Sequence, residues 1–178
     1  KSIYYITGPN KDSLSLSPFI EKLRIHGYDV LYFTDPIDEY MIQNVKEYNE
    51  KTLVDVSKDG LSFNEVESLN KKEEENKELL DFIKEKLGDK VTDVKISNRL
   101  KTTPCILVTA EFGWSANMER IIKAQSLRND QMDQFMSSKK IMEVNLDHNI
   151  MINLKEKRKI DDKKNQCKNI IDLLYDTA

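Results

Sequence analysis

Few residues of this 178-residue chain have the types and spacing that catalysis requires. Cys105 and Cys167 lie far apart, as do His26 and His148, so the ligand spacing of a usual zinc site is absent. Three aliphatic residues follow Cys105, and this setting favours an inert thiol in a buried strand over a nucleophile. The five glycines are scattered and form neither a phosphate-binding loop nor a nucleophile elbow. The sequence therefore predicts no catalytic residue.

An acidic cluster, Asp35, Asp38 and Glu39, is the group that most resembles a Ca²⁺ or Mg²⁺ site. Asp35 and Pro36, however, are typical of a helix start, and the helix dipole stabilises carboxylates in a first helical turn. We therefore expect a helix N-terminus at this point and predict that this chain binds neither a metal nor a cofactor.

Methionines are concentrated on the C-terminal side of the single tryptophan, where five of the six occur. One apolar surface could combine Trp114, Met118, Met132, Phe135 and Met136, and methionine-rich surfaces adapt their shape to varied partners. The same residues also fit ordinary core positions at helical spacing. From the pattern alone we favour the core interpretation and keep the binding surface as the alternative.

Residues 1–62 predict a small parallel α/β unit. Three short apolar runs indicate buried strands, at residues 3–6, 30–33 and 53–56. Ser17-Pro18 and Asp35-Pro36 each combine a capping residue with proline, which marks a helix start. The second helix is predicted to extend from Ile37 to Tyr48. This alternation of strands and helices requires parallel pairing with right-handed crossovers.

Residues 63–178 predict an α+β domain with a short three-stranded sheet. A long charged helix is expected from Asn64 to Leu87, where Gly88 ends it. Strands are predicted at residues 92–96, 105–108 and 141–145. Further helices are predicted over 115–127, after a cap at Asp147, and at the C-terminal end. The change from an alternating α/β pattern to a long charged helix places the domain boundary between residues 62 and 63.

Charge and hydropathy argue against two classes of partner. The chain has 28 basic and 31 acidic residues, and its formal net charge of −3 gives no basis for nucleic-acid binding. No apolar run approaches the ~20 residues that a membrane-spanning helix needs. We therefore expect neither a nucleic-acid partner nor a membrane segment.

Five segments of the sequence carry specific motifs. The longest is Gly-Trp-Ser-Ala-Asn-Met-Glu-Arg-Ile-Ile-Lys-Ala-Gln at 113–125, and a second is Phe-Thr-Asp-Pro-Ile-Asp-Glu-Tyr at 33–40. Shorter motifs are Ile-Ser-Asn-Arg-Leu at 96–100, Ser-Ser-Lys-Lys at 137–140 and Leu-Leu-Tyr-Asp-Thr-Ala at 173–178. In type and order they resemble the heat-shock protein 90 chaperone family. The departures from the family pattern are modest, such as Asp35 where glutamate is usual.

This resemblance implies a fragment of a larger protein. Residues 1–62 would be the last α/β part of a middle domain, and 63–178 most of a C-terminal domain that stops before the final dimerisation helix. Full-length relatives are ATP-dependent, homodimeric chaperones that bind and mature client proteins together with co-chaperones. Their site for ATP and Mg²⁺ lies in an N-terminal domain, so we expect no ATPase activity and no cofactor in this chain.

The resemblance also implies a role for the apolar residues near the tryptophan. In the family pattern, client proteins contact the positions of Trp114, Met118, Met132, Phe135 and Met136. This reverses the preference for a core role, and we expect Trp114 and Met118 to be largely exposed.

A role in homodimerisation is implied for the apolar face of the last helix, at Ile170, Ile171, Leu173 and Leu174. Without a following helix, we expect self-association to be weak or non-native, with the stripe partly covered by its own domain.

An alternative function is a co-chaperone docking and structural dimerisation module without direct client contact. The motifs at 97–100 and 137–140 look like those of the cytosolic branch of the family. We therefore expect a cytoplasmic protein, with the endoplasmic reticulum or another organelle as the alternative.

Overall fold

A computed structural model describes residues 2–61, 66–125, 140–160 and 164–178. The chain forms two compact units. The first draws its described residues from Lys1–Leu61 and Thr109–Ser138, and the second from Ser62–Val108 and Lys139–Ala178. Each unit has its own small sheet, so the predicted α/β and α+β class is confirmed. Neither unit is one continuous segment, because the chain returns to the first unit at Thr109. The predicted domain boundary between residues 62 and 63 stays a prediction.

The first unit is built on a four-stranded sheet. Its strands are β1 (Ser2–Thr7), β2 (Val30–Phe33), β3 (Glu47–Tyr48) and β4 (Lys51–Asp55), in the order β2-β1-β4-β3. Strand β1 pairs in parallel with both β2 and β4, which confirms the predicted parallel unit. In this order β2 and β4 lie on opposite sides of β1, so β1 is a central strand.

Short helices connect β1 to β2. Helix α1 (Lys11–Ser15) begins after Asn10, whose side chain accepts a hydrogen bond from the Ser13 backbone N–H at 2.8 Å. A 3₁₀ turn (Pro18–Ile20) then leads into α2 (Glu21–Ile25). The Ser17 side chain caps the 3₁₀ turn, as predicted, and Gly27 follows α2 with a positive φ of 71°.

Helix α3 (Pro36–Asn44) connects β2 to the β3–β4 hairpin. It begins after Asp35, which confirms the predicted helix start, and Asp35 and Asp38 form a capping box there. The prediction that the helix reaches Tyr48 is wrong, because Tyr48 lies in β3. Asn49 and Glu50 both have positive φ, 48° and 59°, which is the backbone of a tight two-residue hairpin turn.

The second unit combines helices with a three-stranded sheet. Its helices are α4 (Val66–Leu87), α6 (Asn149–Lys157) and α7 (Lys164–Thr177), while α5 (Ala116–Gln125) belongs to the first unit. The strands are β5 (Asp93–Ile96), β6 (Cys105–Thr109) and β7 (Lys140–Val144), and β7 is central in the order β5-β7-β6. These three strands confirm the predicted sheet.

The cap of α6 differs from the prediction by one residue. His148, rather than Asp147, precedes the helix, and its Nδ1 accepts a hydrogen bond from the Ile150 backbone N–H at 3.2 Å. The backbone N–H of Asp147 instead donates to the Asn145 side chain at 3.2 Å.

The second unit contains one large cluster of buried apolar side chains. It joins side chains from α4, β7, α6 and α7, and its most deeply buried members include Leu79, Met142, Leu154, Cys167 and Ile171. Burial of a large aliphatic side chain contributes ~1.5–3 kcal/mol. Val94 of β5 and Cys105 of β6 belong to the same core, so the stability of this unit rests on packing between its helices and its whole sheet.

Candidate functional site

The most exposed large apolar side chain in the described residues lies on a loop of the first unit. This loop, residues 110–115, joins β6 to α5 and is called the apolar loop below. Phe112 is 88% exposed, and Trp114 is half-buried. Large aromatic side chains are costly to leave in water, so an exposed phenylalanine on an ordered loop marks a candidate contact site.

Lys58 fixes the first half of the apolar loop. Its Nζ donates hydrogen bonds to the backbone carbonyls of Gly113, at 2.8 Å, and Glu111, at 3.3 Å. The backbone before the loop is also tied down, since Thr109 pairs with Lys58 and its carbonyl accepts from the Asp59 N–H at 2.8 Å. Gly113 has a φ of 149°, which side chains with a Cβ rarely adopt. The carbonyls on both sides of Phe112 are thus held by one ammonium group.

Glu39 fixes the second half of the loop. It is 3% exposed, on the buried side of α3. Its Oε1 accepts hydrogen bonds from Ser115 Oγ at 2.7 Å and from Asn117 Nδ2 at 2.9 Å. Ser115 Oγ in turn accepts from the Met118 backbone N–H at 2.9 Å, so it caps the start of α5. A second contact, from Tyr40 OH to Gln125 Oε1 at 3.3 Å, ties α3 to the other end of α5.

The polar groups near Glu39 include Asp55 and Tyr5. Burial raises the pKa of the Asp55 carboxyl, and the charge of Glu39 adds to this, while hydrogen bonds from Ser57 and the charge of Lys58 act in the opposite direction. Burial, together with the charges of Asp55 and Glu39, also raises the pKa of the Tyr5 hydroxyl. The Glu39 carboxylate therefore lies close enough to Asp55 and Tyr5 to influence them electrostatically, in partly dehydrated surroundings.

Met118 does not lie where the sequence led us to expect. It is 4% exposed and Trp114 is half-buried, so the expectation that both side chains are largely exposed is wrong. The reason is the position of Met118 in the first turn of α5, whose buried side also carries Ile121. Met132, Phe135 and Met136, the other predicted client-contact residues, lie outside the described residues.

Sequence reasoning missed Phe112, which follows an acidic residue and precedes a glycine. It belongs to no helical or alternating pattern, so periodicity could not select it. Phe112 lies between a charged residue, Glu111, and a glycine, Gly113. A large aromatic residue in such a loop-forming setting is the signal that could have identified it.

The predicted dimerisation residues divide between core and surface. Ile171 and Leu174 are buried in the core of the second unit, and Ile170 packs against that core. Leu173 points away from this core and is 64% exposed. The unit's own core thus covers much of the stripe, as expected, and Leu173 remains available for a contact.

A buried ion pair in the second unit was also missed. Arg99 Nε and Nη2 donate to the two carboxylate oxygens of Glu143 at 3.0 and 2.6 Å, and Ser97 Oγ donates to Glu143 Oε2 at 2.8 Å. Arg99 and Glu143 are 44 positions apart. The bidentate geometry offsets the cost of dehydrating two charges, which a lone buried charge could not do.

The two cysteines are free and buried, and neither belongs to a reactive cluster among the described residues. Burial raises the pKa of the Cys105 thiol to about 11, so little thiolate forms at neutral pH. This agrees with the predicted inert strand thiol. In the described ranges, no group of three or more His, Cys, Asp or Glu side chains could hold a metal ion.

Comparison with protein-family models gives a match to the Hsp90 protein family over residues 1–178, the whole chain. The chain belongs to the Hsp90 family. Individual relatives agree with this assignment. The chain is 46% identical to the putative heat shock protein HSP 90-beta-3 of Homo sapiens and 46% identical to heat shock protein 83 of Leishmania donovani. The whole chain aligns in both cases, to 30% and 40% of those proteins.

Relatives from organelles are almost as similar. The chain is 43% identical to the chloroplastic heat shock protein 90-5 of Arabidopsis thaliana, of which it covers 23%, and 43% identical to an endoplasmin homolog of the same plant, of which it covers 22%. The chain thus spans well under half the length of these Hsp90 relatives. Similar identities to differently located relatives do not select a compartment, so the cytoplasmic assignment stays a prediction.

The two longest motifs that suggested the Hsp90 family meet in the structure. Glu39 belongs to the motif at 33–40, while Ser115 and Asn117 belong to the motif at 113–125.

In the described part of the chain, no helix has both the length and the apolar character needed to cross a membrane.

Proposed function

We propose that this chain is a non-catalytic part of an ATP-dependent Hsp90 chaperone and that it contributes client contact through the apolar loop. The observation that carries the proposal is Phe112, an exposed aromatic side chain on a loop held by Lys58 and Glu39. Membership of the Hsp90 family supports the chaperone role.

An ordered loop with one exposed aromatic side chain can bind weakly at a low entropic cost. Covering one aromatic side chain contributes ~1.5–3 kcal/mol, and a loop that is already ordered loses little further conformational entropy when it binds. A contact of this size is weak by itself. Weak, non-directional contact suits a surface that must hold and release chains of different sequence.

The other predicted client-contact residues have different roles under this proposal. Trp114 contributes its exposed part next to Phe112, and Met118 supports the loop from the buried side of α5. Met132, Phe135 and Met136 remain proposed client-contact residues on the basis of the resemblance alone.

Two further functions belong to the proposed parent protein. ATP and Mg²⁺ would bind in a region outside this chain, so the chain by itself would bind no cofactor and hydrolyse no ATP.

Homodimerisation would use the face of α7 that carries Leu173, the exposed member of the predicted stripe. Client proteins and co-chaperones are the proposed partners, and the cytoplasm is the proposed location.

The alternative is a docking module for co-chaperones without client contact. Helix α3 favours it, because Ile37, at 70% exposed, and Met41 lie on its outer side. These residues are four positions apart and so share one face of the helix. An apolar helical face of this kind could bind a folded partner instead of an unfolded client.

Binding of a fluorescently labelled, permanently unfolded polypeptide to the 178-residue chain separates the two functions. If the apolar loop contacts clients, Phe112→Ser should weaken binding about tenfold or more, equivalent to ~1.4 kcal/mol, while Ile37→Ser should leave it unchanged. Retention of full client affinity by Phe112→Ser would overturn the client-contact proposal. Both sites are exposed, so circular dichroism of the two variants should match that of the wild type.

A further inference from the structure

We propose that Glu39 is a positioning residue for client contact: it holds the apolar loop in its binding conformation without touching the client. This inference rests on the proposed function of the loop. Glu39 lies on α3, far along the chain from Phe112, and is buried. It acts through Ser115, the last residue of the loop, and Asn117, in the first turn of α5.

The hydrogen bonds around Glu39 form a continuous chain from α3 to α5. Ser115 Oγ donates its proton to Glu39 Oε1 and so must accept the bond from the Met118 N–H with a lone pair. Glu39 therefore fixes the orientation of the hydroxyl group that caps α5. Asn117 Nδ2 donates to the same oxygen, so one buried atom sets two successive polar side chains at the helix start.

This arrangement restrains the loop at its exit. Trp114 is covalently joined to Ser115, so its half-buried position depends on where Ser115 is held. If Glu39 is removed, the first turn of α5 loses its external acceptor and the loop samples more conformations. Binding must then restrict these conformations, which lowers client affinity even though Phe112 itself is unchanged.

The role needs an oxygen acceptor at position 39 rather than a negative charge. Both donors that reach Glu39 Oε1, a hydroxyl and an amide, are neutral. Glutamine has the same length and keeps one acceptor oxygen. Glu39→Gln should therefore preserve the loop, whereas Glu39→Ala should not.

Trp114 supplies a direct readout, because it is the single tryptophan of the chain. Acrylamide quenching of its fluorescence in the full 178-residue chain reports exposure of the loop without any client. We expect Glu39→Ala to raise the quenching constant about twofold and to weaken binding of the labelled unfolded polypeptide about fivefold, the size of one lost hydrogen bond. Glu39→Gln should stay close to the wild type in both measurements.

Tyr40→Phe is the matched control. It removes the other described side-chain hydrogen bond between α3 and α5, at the far end of α5. If α3 served only to stabilise the fold, Glu39→Ala and Tyr40→Phe should both raise the quenching of Trp114. We expect quenching in Tyr40→Phe to equal that of the wild type. If Glu39→Ala fails to fold, Asn117→Ala removes one of the two donors from a partly exposed position and should raise quenching to a smaller extent.

The outcomes separate this inference from the proposed function. Unchanged quenching in Glu39→Ala, or in Asn117→Ala where the first variant does not fold, would overturn the positioning role, whatever the effect of Phe112→Ser. Raised quenching with undiminished polypeptide binding would overturn the link between loop position and client contact. If Phe112→Ser then also binds normally, the proposed function itself fails, although Glu39 still orders the loop.

Discussion

The two units use their apolar side chains in opposite ways. The second unit collects them into one core formed by α4, β7, α6 and α7, and its few exposed ones in the described residues include Leu173. The first unit leaves most of the exposed large apolar side chains of the described chain at its surface, among them Ile37 and Phe112. We infer that the second unit contributes chiefly stability and the first chiefly contact surfaces.

Each unit also buries a glutamate, with different partners. Glu143 faces the guanidinium of Arg99, so two charges neutralise each other inside the second unit. Glu39 faces a hydroxyl and an amide, beneath a loop that reaches solvent. Loss of the partner should therefore be more destabilising for Glu143 than for Glu39, because Glu143 loses a bidentate cation, whereas Glu39 loses neutral donors.

The largest effect is expected for Arg99→Ala. It leaves the Glu143 carboxylate buried without its cation, and the free energy of unfolding should fall by about 3–5 kcal/mol. The double variant Arg99→Met/Glu143→Met removes both charges and should be more stable than Arg99→Ala. Urea unfolding measures both. A loss below about 1 kcal/mol for Arg99→Ala would show that water or another group replaces the pair.

A second large effect should distinguish buried from exposed residues on α7. Ile171→Ala leaves a cavity in the core and should lower the free energy of unfolding by about 2–5 kcal/mol. Leu173→Ala, on the exposed side of the same helix, should change it by no more than about 0.5 kcal/mol. Equal losses in urea unfolding would contradict the packing of this helix, and sedimentation of Leu173→Ala would show whether that side chain supports self-association.

A moderate effect is expected at the start of α5. Ser115→Ala removes the side-chain cap of the Met118 N–H and should lower the free energy of unfolding by about 1 kcal/mol. Ser115→Thr keeps a hydroxyl and should recover most of the loss. No recovery by threonine would indicate that the Ser115 side chain acts through packing rather than through its hydrogen bonds.

The smallest effect concerns pH. Burial raises the pKa of Asp55 above its ordinary value of 3.8, so the folded state keeps this proton to higher pH than the unfolded state. The free energy of unfolding of the wild type should therefore decline, through this group, as the pH rises from about 4 through the raised pKa. Asparagine still offers an oxygen to the N–H and hydroxyl of Ser57. Asp55→Asn should thus gain stability relative to the wild type over this range, and a difference independent of pH would exclude the raised pKa.

The elements that follow from local sequence patterns were largely predictable. Apart from β3, the strands of both sheets are short apolar runs or alternating patterns, and the helix start at Asp35-Pro36 is visible in the sequence. The predictions that failed involve a backbone choice without a strong local signal. Val45 adopts an extended backbone, which ends α3 at Asn44, and Asn49 and Glu50 then adopt positive φ without a glycine. His148 took the capping position that aspartate usually fills.

The candidate site was less predictable, because it depends on contacts between distant segments. Nothing near Glu39 in the sequence indicates that it meets Ser115, 76 positions away. The same holds for Arg99 and Glu143. Family resemblance pointed to the region around Trp114, but it could not show that Met118 is turned into the core while Phe112 is exposed.

The central claim is that clients contact the apolar loop at Phe112 and not at the buried Met118. Replacing each position in turn with the photoreactive amino acid p-benzoylphenylalanine tests it directly, with the labelled unfolded polypeptide as the client and Asp12, an exposed site on α1, as the background position. The account predicts strong crosslinking from position 112 and only background crosslinking from position 118. Crosslinking from position 112 no stronger than from position 12 would contradict it.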